Sequence, residues 1–506
     1  MMPRHVQDLP SDRRHRVALA ALVLLHLAVG AALGLSVDEA HYLLYALHPA
    51  LSYFDHPPLV GWLQWPLVSL DAPVWLLRLL PGMLWAATVL TAYRLAQRLS
   101  AANAIAQADA AGLWTLAVLA LAPLLHVLGM GLLPDTLLML LGIVLMGQTW
   151  RLMQPGALQA RGPWLLWGLL LGLAGLSKYT AIFLALASAW CLLAAHGLRV
   201  LRAPWAWLGL LLALLGVAPV ALWNAQHDWI SFRYQASHGA GGTWEAAQLL
   251  RFGLVQVLAF GPLLLWGLRN RWRGGVLRAF FWIPFLVLAL LSGGGSSLPH
   301  WTAPAWVALA PFAGLALARY AYAHGDSRRQ RGRARWLGVL IALQASACAA
   351  LMGLMLSAGA PFFPQTVRTT AVGANPFADL HGWDAAGARA RALAQAQGLA
   401  SVSVQNWTLA SRLGWYARPL PVHVLAPGTD QFSLWAGALP VGADTLLVDW
   451  SHLSFALPLA PQGFARCDLL DTLDVHHGQA PLARFRFFAC YGWAGPAAPR
   501  NQEVGL

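Results

Sequence analysis

The sequence predicts a polytopic α-helical membrane protein that ends in a small α/β domain. Three observations predict it. The 506 residues are 58% hydrophobic and only 10% charged, against about 25% charged in an ordinary soluble domain. Apolar runs of the ~20-residue length that crosses a bilayer as a helix recur along the chain, and the mean hydropathy is +0.56. Beyond residue 357 the pattern changes to short β-type runs alternating with helical segments.

Eleven spans are expected, near 17–36, 75–95, 108–128, 133–150, 164–177, 180–195, 204–223, 246–267, 279–292, 301–318 and 336–357. The first follows the basic segment Arg13-Arg14-His15-Arg16 in the order of a signal peptide. Its apolar part is too long for one and further spans follow, so it reads as an uncleaved anchor. Net charge is +13, which in a soluble chain would suggest a nucleic-acid partner. Here the arginines cluster at the start, around 94–98, 151–161, 199–202, 269–278 and 319–335, in every second inter-span segment. That alternation is the positive-inside pattern, so the charge is assigned to the membrane surface and no nucleic acid is expected. It gives a cytoplasmic segment 1–16, a transmembrane domain 17–357 with its first outward loop at 37–73, and a domain 358–506 outside the cytoplasm.

In the exported domain, 382–398 and 408–417 read as helices, and 401–405, 421–426, 445–450 and 484–491 as strands. Cys191 and Cys348 fall in spans and read as packing residues, whereas Cys467 and Cys490 fall in the exported part, where a disulfide closing a hairpin-like loop is open to them. The glycosylation-type triplet Asn406-Trp407-Thr408 reads as a chance match.

Because the outward loops are poor in lysine and arginine, their ionisable groups are informative. The first loop holds "DEAHYLLYAL", expected as an interfacial amphipathic helix with Tyr42 and Tyr45 at the membrane surface. Asp38 and Glu39 emerge directly from the first span, and "FDHPPL" brings back Asp55 and His56. Carboxylates and histidines at that depth suit acid–base work or a metal; a wetted loop is the alternative, which the cost of charge near the bilayer makes less attractive. Asp135 follows Pro134 at the head of the fourth span, where capping alone would also explain it. His227, Asp228, Arg233 and His238 precede a glycine stretch, and His300 adjoins Trp301 after another. Of 33 lysine and arginine residues one is lysine, Lys178, placed at the outward tip of the apolar hairpin 164–195. There it is either a snorkelling anchor or a cation for the outer surface.

Together, "DEAHY", "FDHPP", "LPDTLLML", "GLSKYTA", "YQASHG", "LPHWTAP" and "NWTLASRLGWYA" resemble the lipid-linked-sugar glycosyltransferases of the protein O-mannosyltransferase type, in particular the bacterial family-39 branch and the aminoarabinose transferases of lipid A. The resemblance implies the C-type glycosyltransferase fold and a sugar donor carried on a polyprenyl (undecaprenyl) phosphate that enters from the membrane. It implies transfer on the outer face, to lipid A, another glycolipid, a polysaccharide or a protein hydroxyl. Asp38 then matches the catalytic base, with Glu39 beside it. Lys178 matches a lysine near the donor phosphate, where His41, His56 and Arg233 are further cationic candidates. Tyr42, Asp135 and His300 complete the candidate site. Asp55 and His238 match positions that hold a divalent metal ion in the aminoarabinose enzymes. This chain departs from those enzymes in three places: His41 stands for an arginine, His56 for a lysine and Asp55 for a glutamate. The competing readings are a transporter or lipid flippase of envelope biogenesis, which would favour internal repeats and midplane charges, and an envelope scaffold, which would leave Asp38, Asp55 and Lys178 without a task.

Overall fold

The computed structural model describes residues 13–105, 108–295, 297–321, 327–364, 375–459 and 462–496. Each expected span is occupied by a helix or a broken pair of helices: Arg13–Ala31, Val74–Leu77 leading into Leu79–Ala102, Ala108–Ala120 with Pro123–Met130, Pro134–Leu152, Arg161–Ser177, Ala181–His196, Pro204–Gln226, Ala246–Phe260 with Pro262–Leu268, Ala279–Ser292, Ala303–Ala321, and Ser327–Leu356. By length and composition six segments are able to cross a membrane alone, and up to eight do so when each bent pair counts as one. The other three are helical at the expected places but shorter or more polar; Pro134–Leu152, for example, carries Asp135, Gln148 and Arg151.

The described residues form two compact units. One comprises Met1–Gly30, His56–Val60 and Pro73–Ala349, and the other Ala31–Asp55, Gly61–Ala72 and Ala350–Leu506. Most of the segment expected as the first outward loop therefore folds with the C-terminal part of the chain.

In the first unit, Ala303–Ala321 is buried almost throughout its length, as expected of a helix apolar on every side. Small residues let its neighbours approach closely: a Cβ on Gly314 would collide with Ala111 and Thr115 of Ala108–Ala120. Helices Arg161–Ser177 and Pro204–Gln226 meet the same way, Gly168 against Gly209 and Gly172 against Gly216, the small-residue contact favoured between membrane helices.

Two spans break, and the breaks expose backbone groups that need partners. Ala108–Ala120 and Pro123–Met130 meet at 76°, and Ala246–Phe260 and Pro262–Leu268 at 104°. A proline begins each second half, where its missing N–H is not needed. Gln344, buried on the last span, serves both: its Nε2 donates to the Leu121 carbonyl at 2.9 Å and its Oε1 accepts from the Leu263 N–H at 3.1 Å. Gly261 fits beside that amide because it has no Cβ and adopts φ +84°. The Ala120 carbonyl is met at 2.8 Å by His126 Nε2, whose Nδ1 lies 2.8 Å from His26 Nε2.

In the second unit five strands form one mixed sheet: β1 Val402–Val404, β2 Val422–Val424, β3 Thr445–Trp450, β4 Phe464–His477 and β5 Ala480–Trp493, in the order β2-β1-β3-β5-β4. β1 runs parallel to β2 and β3, and β5 antiparallel to β3 and β4. β3 is buried along its whole length, as a central strand covered on both faces must be. Helices Trp383–Gln397 and Trp407–Tyr416 match the expected ones. β4 and the helix Gln431–Ala436 had no counterpart in the sequence reading. Cys467 and Cys490 face each other across β4 and β5 and form a disulfide, whereas Cys191 and Cys348 are buried thiols. Asn406 caps Trp407–Tyr416 by accepting the Thr408 N–H at 2.7 Å, so the triplet has a folding role.

Replacing Gln344 by leucine removes the partners of two buried backbone groups at once. Each orphaned group should cost about 1–3 kcal/mol. Thermal unfolding in detergent should show Gln344→Leu clearly destabilised and Leu343→Ala, at the exposed neighbouring position, close to wild type.

Candidate active site

The segment expected as the first outward loop starts with the helix Val37–Leu47, set by a reciprocal capping box. Ser36 Oγ accepts the Glu39 N–H at 3.3 Å, and the Glu39 carboxylate accepts the Ser36 N–H at 3.0 Å. Of the two adjacent carboxylates named as catalytic candidates, Glu39 is the one engaged in this capping box. Glu39 is buried and engaged at the helix start, whereas Asp38 is half-buried in the same first turn, where a carboxylate interacts well with the helix dipole.

One turn on, His41, Tyr42 and Tyr45 are buried. The Tyr42 ring meets His41 edge-on, and its carbonyl accepts from Gln64 Nε2 at 3.2 Å. Ser411 Oγ donates to the Trp407 carbonyl at 2.9 Å and lies 3.1 Å from His41 Nδ1. His41 Nε2 stands 3.5 Å from Asp55 Oδ1, and the Tyr45 hydroxyl donates a short hydrogen bond to the same oxygen. Burial pushes the Tyr45 hydroxyl well above the ordinary tyrosine range, and the Asp55 charge adds to the shift. The rings of Trp407, Phe432 and Trp435 surround His41 at 5.5, 5.9 and 6.3 Å. His41, expected beside a phosphate, is thus enclosed by aromatic rings and bonded to Ser411.

In the other unit, Lys178 ends the helix Arg161–Ser177 with extended backbone. It is 5% exposed and Asp135 is 1% exposed. The ammonium donates to both Asp135 oxygens, at 2.8 and 2.6 Å, and lies 5.3 Å from the centre of the Trp301 ring. His300 Nε2 is 3.7 Å from Asp135 Oδ2. The snorkelling alternative for Lys178 is therefore replaced by a buried ion pair, and Asp135 does more than cap its helix. His56 belongs to this unit and is half-buried. Arg233 is exposed on the helix Ile230–Ala240, next to Phe232, whose ring meets Tyr179 at 5.5 Å. The His238 side chain lies outside the described residues.

Among the described residues, no three His, Cys, Asp or Glu side chains come together as a metal site. Asp55, one of the two residues expected to hold a metal, already serves Tyr45 and His41.

Sequence reasoning passed over Arg412 and Asp379. Arg412 is 2% exposed, its Nη2 2.5 Å from Asp379 Oδ1 and its guanidinium carbon 4.2 Å from the centre of the Trp383 ring. A lone arginine in the apolar run "TLASRLGWYA" was the available signal.

Removing one partner of the buried Lys178–Asp135 pair leaves an uncompensated charge, a loss of about 3–5 kcal/mol, whereas replacing both by apolar residues is far milder. Unfolding in detergent should therefore rank Asp135→Asn below the double variant Asp135→Leu/Lys178→Met.

The chain is similar to known proteins in part of its sequence and in its fold. The dolichyl-phosphate-mannose-protein mannosyltransferase family matches residues 55–223, the stretch that includes Asp55, His56, Asp135 and Lys178. The fold is similar to that of ArnT from Cupriavidus metallidurans bound to undecaprenyl phosphate, with TM-score 0.60 and 16% identity over 94% of this chain and 98% of that one. It is similar as well to the apo state of that protein, with TM-score 0.58 and 16% identity over 95% and 99%. No curated protein sequence matches the chain at a significant level.

Proposed function

We propose that this chain, which shares the fold of ArnT, is a membrane glycosyltransferase that moves a sugar from a polyprenyl-phosphate donor to an acceptor hydroxyl on the outer face of the inner membrane. The observation that carries the reading is the match of residues 55–223 to transferases whose family name specifies a lipid-phosphate-linked mannose. A similar fold solved with undecaprenyl phosphate supports the same donor class.

In this reading the acceptor oxygen attacks the anomeric carbon, the bond to the phosphate oxygen breaks, and polyprenyl phosphate leaves. Asp38 takes the acceptor proton. Lys178 is the point charge for the departing phosphate, and the phosphate competes with Asp135 for its ammonium. His300 and Trp301, which adjoin that pair, shape the surroundings of the ammonium. Arg233 and His56 are secondary candidates for the phosphate, and Tyr42 helps to hold His41 in place.

Orientation belongs to the proposal too. The arginine alternation puts the N-terminus in the cytoplasm and residues 358–506 in the periplasm. The cross-strand disulfide Cys467–Cys490 supports an oxidising compartment for the latter. The acceptor is a hydroxyl-bearing glycolipid, polysaccharide or protein.

Loss of a general base typically costs a factor of 10² to 10⁴. Asp38→Asn should lose turnover by about that factor while the donor still raises the melting temperature as it does for wild type. Turnover within a few-fold of wild type would remove Asp38 from the role of base.

A further inference from the structure

The arginines of this chain are answered in two different ways. In the second unit they meet aspartates: Arg389 pairs with Asp471, Arg412 with Asp379, Arg484 with Asp474 and Arg486 with Asp449. In the first unit, the segments 269–278 and 319–335 hold ten arginines and a single acidic residue, Asp326, which lies outside the described residues. Among the described residues, Arg269, Arg319 and Arg333 have no carboxylate within ion-pair distance. They stack on aromatic rings instead.

The rings gather where the helix Ala303–Ala321 ends and Ser327–Leu356 begins. Trp266 belongs to Pro262–Leu268 and Tyr320 to the last turn of Ala303–Ala321, and their rings meet edge-on with centres 4.6 Å apart. The guanidinium carbon of Arg269 lies 4.7 Å from the centre of Trp266, and that of Arg333 lies 5.2 Å from the centre of Tyr320. Beside them Arg319 covers Trp272 at 5.3 Å.

The loop that carries Arg269 and Trp272 is pinned. The Arg269 carbonyl accepts from Trp272 Nε1 at 3.2 Å and from Arg278 Nη2 at 2.7 Å. Asn103 Oδ1 accepts the Arg273 N–H at 2.7 Å, and Asn103 Nδ2 donates to the Arg273 carbonyl at 3.2 Å. Asn270 and Gly274 turn the backbone at φ +64° and +78°, in the left-handed region that these two residue types accept.

A guanidinium stacked on a ring keeps its N–H donors in its own plane, as the fork that matches a phosphate. Arg269 and Arg319 are exposed and Arg333 is half-buried, so those donors reach the surface. Tryptophan and tyrosine favour the depth at which lipid headgroups lie. Positive charge held there with no internal counter-ion draws its counter-ion from outside, and anionic headgroups are the anions available at that depth.

We propose that Arg269, Arg319 and Arg333, set on Trp266, Tyr320 and Trp272, form a binding site for the phosphate headgroup of an anionic phospholipid. In the orientation proposed above, that lipid stands in the cytoplasmic leaflet. Such a site goes beyond the transferase reading and does not depend on it. Arg278 takes no part: its guanidinium donates to the Arg269 and Asn270 carbonyls and covers Phe312 at 4.9 Å, which holds the loop in shape.

The test is lipid binding to the purified full chain in neutral detergent, read by native mass spectrometry as phosphatidylglycerol or phosphatidylcholine is titrated. Wild type should prefer phosphatidylglycerol, and inorganic phosphate at the same concentration should not displace it. One arginine near an anionic surface is worth a factor of about five. Arg269→Gln/Arg333→Gln should therefore bind phosphatidylglycerol about 25-fold more weakly, with phosphatidylcholine unchanged. Arg199 and Arg202, two exposed arginines of another basic segment, stack on no ring among the described residues, and Arg199→Gln/Arg202→Gln should keep wild-type affinity. Equal losses in the two double variants would overturn the site and leave only diffuse surface charge. No preference for phosphatidylglycerol in wild type, or its displacement by inorganic phosphate, would overturn it too. If the Arg269/Arg333 double variant does not fold, Arg269→Gln alone, at its exposed position, should show a loss of about fivefold, and an unchanged affinity there would count against the site.

Discussion

A charge or backbone polar group in apolar surroundings must find a partner, and the described architecture follows from how this chain meets that demand. The Lys178 ammonium is set between both oxygens of Asp135, which lets a lysine sit at a break between two membrane helices. Gln344 answers the backbone groups opened by two bent spans. His126 does the same for the Ala120 carbonyl. Each of these side chains makes irregular backbone tolerable inside the bundle, and irregular backbone is what presents side chains other than at helix ends.

The same demand organises the second unit. The helix Val37–Leu47 is short and most of its length is buried, so its first turn needs the Ser36–Glu39 box and its flanks need the C-terminal residues. Tyr45 and His41 converge on Asp55, and Arg412 is matched by Asp379.

Much of this was legible in the sequence. Apolar length located all eleven helical segments, because a bilayer span is defined by length and hydropathy more than by tertiary context. Lys178 was conspicuous as the one lysine, and Asp38 as a carboxylate abutting a span. Less visible was whatever depends on partners remote in the chain. β4, with Asp468, Asp471 and Asp474, reads poorly as a strand because aspartate is depleted there; pairing with β5 and the solvent-facing edge overrides that propensity. Nothing local marks Gln344 as the partner of two bends, since its contacts lie 81 and 223 residues away. Arg412 looks like an isolated polar residue in an apolar run until Asp379, 33 positions earlier, is placed against it. That Glu39 closes a capping box and Asp38 does not depends on cap geometry, which two adjacent carboxylates in a sequence do not reveal.

The central claim is that a lipid-phosphate-linked sugar is consumed, and it is tested most directly by chemistry on the intact protein. Purified chain in detergent, given total lipid extract and membrane vesicles from the producing cells, should deplete one polyprenyl-phosphate sugar and release an equal amount of free polyprenyl phosphate, read by mass spectrometry. That stoichiometric release is the result the account predicts. An unchanged lipid inventory, with the same lipids merely crossing the bilayer when the chain is reconstituted in vesicles, would contradict it and make the protein a transporter.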